Sequence, residues 1–293
     1  MPAVEEVLVK GGRRVALYRL TEGGGERTIL FCHAAPGSGA FDPEPTQTSA
    51  RAVTLLAVDR PGYGGSEPVG ADEWASVSSA ADDVAEVLEQ LAMEPVGAAG
   101  WSAGGRVALA LAARRPELVD RIAVLATPAP DEEVPWIPPE QKQGLEALRG
   151  QPSAAVHAAL AEQMAPMVPR DSSAPEAVEL LAATSDDNRA LEMPGARERL
   201  GEMLTAAFAQ GAAGMAADIA GYCLQPWGFE PADVNAKTLL LYGARDATAG
   251  PRHGSWWQER LPDARLEVVP GAGHLLVIPM WDRVLSHLAP HTR

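Results

Sequence analysis

Around residues 96–113 three kinds of local sequence meet at one serine. The run Pro95-Val96-Gly97-Ala98-Ala99 is short and apolar, with small side chains. It enters Gly100-Trp101-Ser102-Ala103-Gly104-Gly105, where only Trp101 has bulk. Beyond Arg106 the chain reads Val107-Ala108-Leu109-Ala110-Leu111-Ala112-Ala113, an alanine- and leucine-rich run that favours helix. A strand, a tight turn and a helix therefore converge on the Ser102 hydroxyl. A serine in so sharp a turn takes a strained backbone conformation, tolerated only if its neighbours carry no side chains that would collide.

The rest of the chain repeats this alternation of short apolar runs with longer periodic ones. Strands are expected at residues 14–20, Thr28–Cys32, 53–58, from Val96, and at 122–125. Trp74, Val77, Ala81, Val84, Val87, Leu88 and Leu91 share one face of a helix over residues 71–91. The Gly23-Gly24-Gly25 run reads as a turn. After Thr127 the pattern changes. Residues 128–223 hold prolines and helical segments at 141–148, Ser153–Met164, 175–183, 197–208 and 214–222, with no strand pattern. Alternation then resumes with a strand at 238–242, a helix at 253–261, a strand at 265–269 and a helix at 280–288. Such alternation predicts a parallel sheet covered by helices on both faces, interrupted by a helical insertion.

Gly100-Trp101-Ser102-Ala103-Gly104 is a G-x-S-x-G pattern in the strand-turn-helix context that gives it meaning. The Ser102 hydroxyl then stands at the carboxyl edge of the sheet, where open α/β folds bind ligands. The helix that follows aims free N–H groups at the same point, favouring a developing anion. Serine is a weak nucleophile that needs a base, and the base needs an orienting carboxylate. His274, in Gly271-Ala272-Gly273-His274-Leu275, follows the last strand, and Asp246, in Tyr242-Gly243-Ala244-Arg245-Asp246, follows the strand before it. Asp131 and Glu132, shortly after the strand at 122–125, are the rival acids. Donors for an oxyanion are expected from the backbone of Ala103 and from Ala34 in His33-Ala34-Ala35-Pro36-Gly37, with Ala35 the alternative in that loop. His33 reads as a brace for the loop, and Asp59 as a structural residue of its glycine turn. Trp101 is core or pocket wall; it and Ala35 are the candidate substrate contacts. Trp136 and Trp227 sit in or beside the insertion, where burial competes with substrate contact. Cys32 reads as a small buried hydrophobe, and His253 as the start of a helix.

A net charge of −15 disfavours nucleic acid and anionic membrane as partners, because their phosphates are repelled. Two cysteines in 293 residues make no disulfide framework and suit a reducing compartment. The start, MPAVEEVLVKGG, has no apolar signal core, and the apolar stretch from Val96 to Ala113 is broken by glycines and Arg106. A cytoplasmic protein acting on a small molecule, as monomer or homodimer, is expected. There is no phosphate-binding G-x-x-x-x-G-K pattern, no H-E-x-x-H and no paired cysteines, so neither metal nor cofactor is expected.

Five pieces in order carry a family resemblance: HAAPG after an early strand, Asp59-Arg60-Pro61-Gly62-Tyr63-Gly64-Gly65-Ser66, GWSAGG, YGARD and GAGH. Together they resemble the cap-bearing α/β-hydrolases over nearly the whole chain. The resemblance implies a mostly parallel eight-stranded sheet with a helical cap inserted after the sixth strand. Residues 1–129 and 226–293 would form the core and 130–225 the cap. It implies a Ser102-His274-Asp246 triad cleaving an ester through an acyl-enzyme. Amide hydrolysis, carbon–carbon bond cleavage, a lyase, cyclase or perhydrolase reaction, and a slow-turnover ligand receptor use the same residues. Serine at position 102, where aspartate would stand, argues against the dehalogenase and epoxide-hydrolase branches. The family's usual His-Gly-x-Pro is here His33-Ala34-Ala35-Pro36, a slightly more crowded loop.

Overall fold

The computed structural model describes residues 3–21, 27–171 and 174–290. The Gly23-Gly24-Gly25 run lies outside the described residues. Eight strands form one sheet: β1 (Ala3–Leu8), β2 (Arg14–Thr21), β3 (Thr28–Cys32), β4 (Thr54–Val58), β5 (Val96–Trp101), β6 (Val119–Leu125), β7 (Lys237–Gly243) and β8 (Ala264–Val269). Their spatial order is β1-β2-β4-β3-β5-β6-β7-β8. Only β2 runs against its neighbours; every other pairing is parallel. The apolar β3 and β5 are covered on both faces, which is why they read as unbroken runs without alternation.

From β3 the chain crosses to β4 on one side and then to β5 on the other. That reversal opens a crevice at the carboxyl ends of β3 and β5. Helices α2 (Val77–Gln90), α3 (Ala103–Arg114) and α9 (Pro251–Arg260) pack on one face, around Leu30, Leu56, Val124 and Trp257. On the other face α10 (Trp281–Leu288) packs around Phe31, Trp101 and Leu125, with the short α1 (Pro45–Ala50) against it. Each large apolar side chain buried in these layers contributes about 1.5–3 kcal/mol.

Between β6 and β7 the described residues form helices without strands: α4 (Pro139–Leu148), α5 (Ser153–Met164), α6 (Asn188–Leu191), α7 (Ala196–Ala207) and α8 (Ala213–Cys223), with intervening 3₁₀ turns. Leu181, Leu200, Met203 and Leu204 of this insertion join the same apolar core as Phe31 and Trp101. The insertion is thus anchored on the sheet edge where Ser102 lies.

Three elements differ from the sequence expectation. β1 is an additional edge strand, hidden because Glu5-Glu6 breaks its alternation and it buries little: Val4 is 51% and Leu8 59% exposed. Across the edge Glu5 instead accepts a hydrogen bond from Arg19 Nε at 2.5 Å. Helix α2 starts six residues later than the apolar spacing suggests, because Ser76 and Ser79 cap it reciprocally. Trp74, ahead of that cap, instead packs edge-on against His157 of the insertion. Pro175–Leu181 is a 3₁₀ helix, closed by Ala182 at φ +55°.

Candidate active site

Strand β5 delivers the chain into the turn and α3 takes it away. Between them Ser102 holds φ +54° and ψ −120°, a conformation that costs a non-glycine residue about 1–3 kcal/mol. The surroundings impose it. Ser102 N–H donates to Leu125 O at 2.8 Å, while Ser102 O accepts from Gly105 N–H at 3.1 Å and from Thr127 Oγ–H at 2.8 Å. Contact explains the flanking glycines. A Cβ at Gly100 would strike the Gly104–Gly105 backbone, one at Gly104 the Cys32 carbonyl, and one at Gly105 the Thr127 hydroxyl.

The loops after β7 and β8 bring the other two groups to this hydroxyl. His274 Nε2 lies 3.0 Å from Ser102 Oγ, and His274 Nδ1 lies 2.8 Å from Asp246 Oδ2. An ionised carboxylate only accepts, so Nδ1 carries the proton and Nε2 is left to accept from the serine hydroxyl. The other oxygen of Asp246 accepts from the Thr248 and Ala249 N–H groups, both at 2.8 Å. Burial pushes the Asp246 carboxyl up, but His274 and these hydrogen bonds outweigh it and hold the group below the usual carboxylate range. The rival acids are elsewhere. Asp131 accepts from the Trp136 and Ile137 N–H groups and pairs with Lys142 at 2.5 Å, so it caps the entry to the insertion. Glu132 lines an outer cavity and is exposed.

The His274 loop is also tied down from outside the core. Leu275 N–H donates to Asp187 Oδ1 at 2.8 Å, and Asp187, 2% exposed, stands where a Cβ on Gly273 would have to be. Below the loop, Trp101 Nε1–H donates to His274 O at 3.0 Å. That settles Trp101. It is fully buried under the histidine and does not line the cavity at Ser102, so the expected substrate contact is corrected to a core role. The local reason is that Ser102 turns upward at the sheet edge while the residue before it still obeys the strand.

On the opposite wall, His33 Nδ1–H donates to Ala34 O at 2.8 Å and Nε2 accepts from Arg60 N–H at 3.1 Å. Burial, with Arg60 beside it, lowers the His33 pKa well below the usual histidine value, so it stands neutral. Arg60 also donates to the His33 and Ala34 carbonyls. Asp59 accepts from Tyr18 Oη–H, Gly39 N–H and Gly65 N–H, tying the glycine turn to the loop. Ala35 and Ala103 line the cavity at Ser102, whereas Ala34 is 1% exposed and is not on its wall. Of the two alternatives for the first oxyanion donor, the expected Ala34 is thus off the cavity wall and its neighbour Ala35 is on it. The N–H of Ala103, the first residue of α3, has no partner within the helix.

The cavity at Ser102 encloses about 210 Å³, and Leu181, Met215 and Ile219 of the insertion form part of its wall. An outer cavity of about 570 Å³ shares Arg106, Trp136 and Tyr222 with it. Trp136 thus borders both, while Trp227 borders only the outer one. Sequence reasoning missed Asp187, Arg106 and the buried pair in which Arg60 donates to Asp218 at 2.7 and 3.0 Å. Arg106 alone left a signal, as the one charged residue in the apolar run 103–113. His253, near the start of α9 as expected, accepts from Ala129 N–H, and burial lowers its pKa to about 4. Cys32 is buried, and its thiol is pushed up to about 12. Among the described residues no group of His, Cys, Asp or Glu could hold a metal ion, and no helix is long and apolar enough to cross a membrane.

The model of the alpha/beta hydrolase fold family matches residues 27–279, and the chain belongs to that family. It is similar to the pimeloyl-(acyl-carrier protein) methyl ester esterase of Chromobacterium violaceum, with 28% identity over 277 residues, 94% of this chain and 97% of that protein. The enzyme of the same name from Nitrosospira multiformis is 27% identical over 289 residues, 96% of this chain and 99% of that one. Among solved structures, a thermophilic esterase from Thermogutta terrifontis superposes with a TM-score of 0.68 at 21% identity, covering 96% of this chain and 95% of its own.

Proposed function

We propose that the protein hydrolyses carboxylic esters with Ser102 as nucleophile, His274 as base and Asp246 as orienting acid. The hydrogen-bonded line Asp246–His274–Ser102, at 2.8 and 3.0 Å, carries the reading. Two relatives along nearly the full chain, both named as methyl ester esterases, support ester as the substrate class. Ser102 Oγ adds to the ester carbonyl as His274 Nε2 takes its proton. The oxyanion accepts from the N–H groups of Ala35 and Ala103. His274 then returns the proton to the departing alkoxide, leaving an acyl-serine. A water, deprotonated by the same nitrogen, releases the acid and restores the serine. Steady hydrolysis of a short activated ester, with one oxygen from labelled water in the acid product, tests this. Products lacking that oxygen would point to a lyase or cyclase instead.

His274 must be neutral to accept the serine proton, so kcat/KM should fall on acidification with a one-proton slope. The depressed Asp246 carboxylate stays ionised below the usual carboxylate range, so its interaction with His274 is present above the unfolded-state pKa of an aspartate. That stabilisation is lost only as pH falls through the lower folded-state value. A pH–rate profile flat through the acid range would remove His274 as base.

We read residues 130–225 as a cap on a core of residues 1–129 and 226–293. Supporting this, Leu181, Met215 and Ile219 face the cavity while the insertion supplies none of the triad. Met215→Ala and Ile219→Ala should enlarge the acyl pocket and raise the kcat/KM ratio of long to short acyl esters by about tenfold. Equal losses on every ester would mean that these residues serve folding alone.

A further inference from the structure

Two buried arginines come to the cavity at Ser102, Arg106 on its wall and Arg60 behind Asp218 of that wall, and they differ in one respect. Arg60 is 4% and Arg106 1% exposed. For Arg60, burial lowers the pKa but the Asp218 carboxylate outweighs it, and the guanidinium is held above the usual arginine range. For Arg106, burial dominates and the shift is downward, because no carboxylate pairs with it among the described residues. Asp218 lines the same cavity but is committed elsewhere. Its two oxygens accept from Arg60 Nε and Nη2, from Tyr63 Oη and from Tyr222 Oη. Around the outer cavity Asp131 is paired with Lys142, Glu146 with Arg149, and Glu132 is exposed to solvent.

The Arg106 side chain is held by weaker partners. Its Nε and Nη2 donate to Pro128 O at 3.2 and 3.1 Å. Its guanidinium carbon lies 4.6 Å from the ring centre of Tyr222, 4.8 Å from Trp227 and 5.4 Å from Trp136. Aromatic faces stabilise a guanidinium while leaving its edge free to meet a planar anion. Among the described residues Nη1 has no hydrogen-bond partner. Arg106 lies four residues after Ser102, one turn along the same face of α3, and lines both cavities. Arg106 is thus a buried cation with a donor to spare among the described residues, on the wall of the cavity that also holds Ser102.

We propose that Arg106 receives a carboxylate of the substrate, so that the preferred ester carries a free carboxylate besides the bond that Ser102 attacks. The inference rests on the ester-hydrolase reading and names its substrate class. The acid group lies either on the acyl side, as in a monoester of a dicarboxylic acid, or on the alcohol side, as in an ester of a hydroxy acid.

The test compares wild-type protein on three substrate sets: methyl monoesters of dicarboxylic acids of increasing length, acetyl esters of hydroxy acids, and neutral esters of matched length. One carboxylate-bearing set should exceed its neutral match in kcat/KM by about 10²-fold, chiefly through KM, with an optimum length. Which set does so identifies the side that carries the acid. In Arg106→Gln the ratio of charged to neutral ester should collapse towards one, and in Arg106→Lys, which keeps the charge without the fork, it should fall partway. Should Arg106→Gln not fold, inhibition of the wild type decides. Dicarboxylate monoamides should compete with the neutral ester, and their uncharged diamides should not. Neutral esters turned over with no preference for either acid set, or a preference kept in folded Arg106→Gln, would overturn the proposal and leave Arg106 as a cation caged for structure. No turnover of any ester would instead overturn the reading beneath it.

Discussion

Ser102→Ala lowers kcat for ester hydrolysis by on the order of 10⁶ and leaves the fold in place. This is the largest effect expected of any single change in the protein. The magnitude follows from what is lost: without Oγ there is no acyl-enzyme, and His274 has no hydroxyl to activate. The fold survives because the side chain makes one hydrogen bond, to His274 Nε2. The strained backbone at φ +54° is held by main-chain bonds to Leu125 and Gly105 and by Thr127, which alanine keeps. A fluorophosphonate probe should label wild type at Ser102 and leave the variant unlabelled, with matching circular dichroism and thermal midpoint. Labelling at another serine would move the nucleophile.

Asp246→Asn comes second, with a loss of about 10⁴ in kcat, the cost of this change in a comparable triad. The hydrogen bonds around the carboxylate show why so small a change should be so damaging. Oδ1 accepts from Thr248 and Ala249 N–H groups, so an asparagine must keep its oxygen there. Its NH₂ then faces His274 Nδ1, which can no longer donate. The ring is driven to the tautomer protonated at Nε2, and that nitrogen presents a hydrogen to the serine where it should present a lone pair. The negative charge that stabilises the imidazolium is lost as well. Asp131→Asn and Glu132→Gln, whose carboxylates make no contact with His274, should cost less than about tenfold by the same reasoning. Kinetics of the three purified variants, each checked for folding, decide the matter. Near-wild-type activity in folded Asp246→Asn would shift the acid to the end of β6.

The Ser102 turn was legible because its cause is local. A side chain perched between strand and helix needs its neighbours stripped of side chains, and Gly100, Gly104 and Gly105 show that need in three close contacts. His274 and Asp246 were legible for a related reason: each follows an apolar strand by a few residues, and parallel strands bring their carboxyl ends to one edge. Buried strands such as β3 and β5 announce themselves as unbroken apolar runs. Edge strand β1 does not, since half-exposed residues carry little pattern.

Other features depend on which distant segments meet, and no local pattern encodes that. Ala34 and Ala35 are equivalent as letters; only the packed loop puts one on the cavity wall and turns the carbonyl of the other towards Arg60 and His33. Trp101 beside the serine could face either way until the strand geometry buried it beneath His274. Asp187 reaches Leu275 across 88 residues of chain. Arg60 and Arg106 are the same residue type at similar burial, yet Asp218, 158 residues downstream of Arg60, pairs with it, while Arg106 has no carboxylate partner among the described residues. The sequence by itself determined the tight turn at Ser102 and the sheet edge that gathers Ser102, Asp246 and His274, because these follow from steric limits and periodicity within short windows. Tertiary structure alone decided which buried charges are compensated, because compensation depends on distances between side chains that the chain order does not contain.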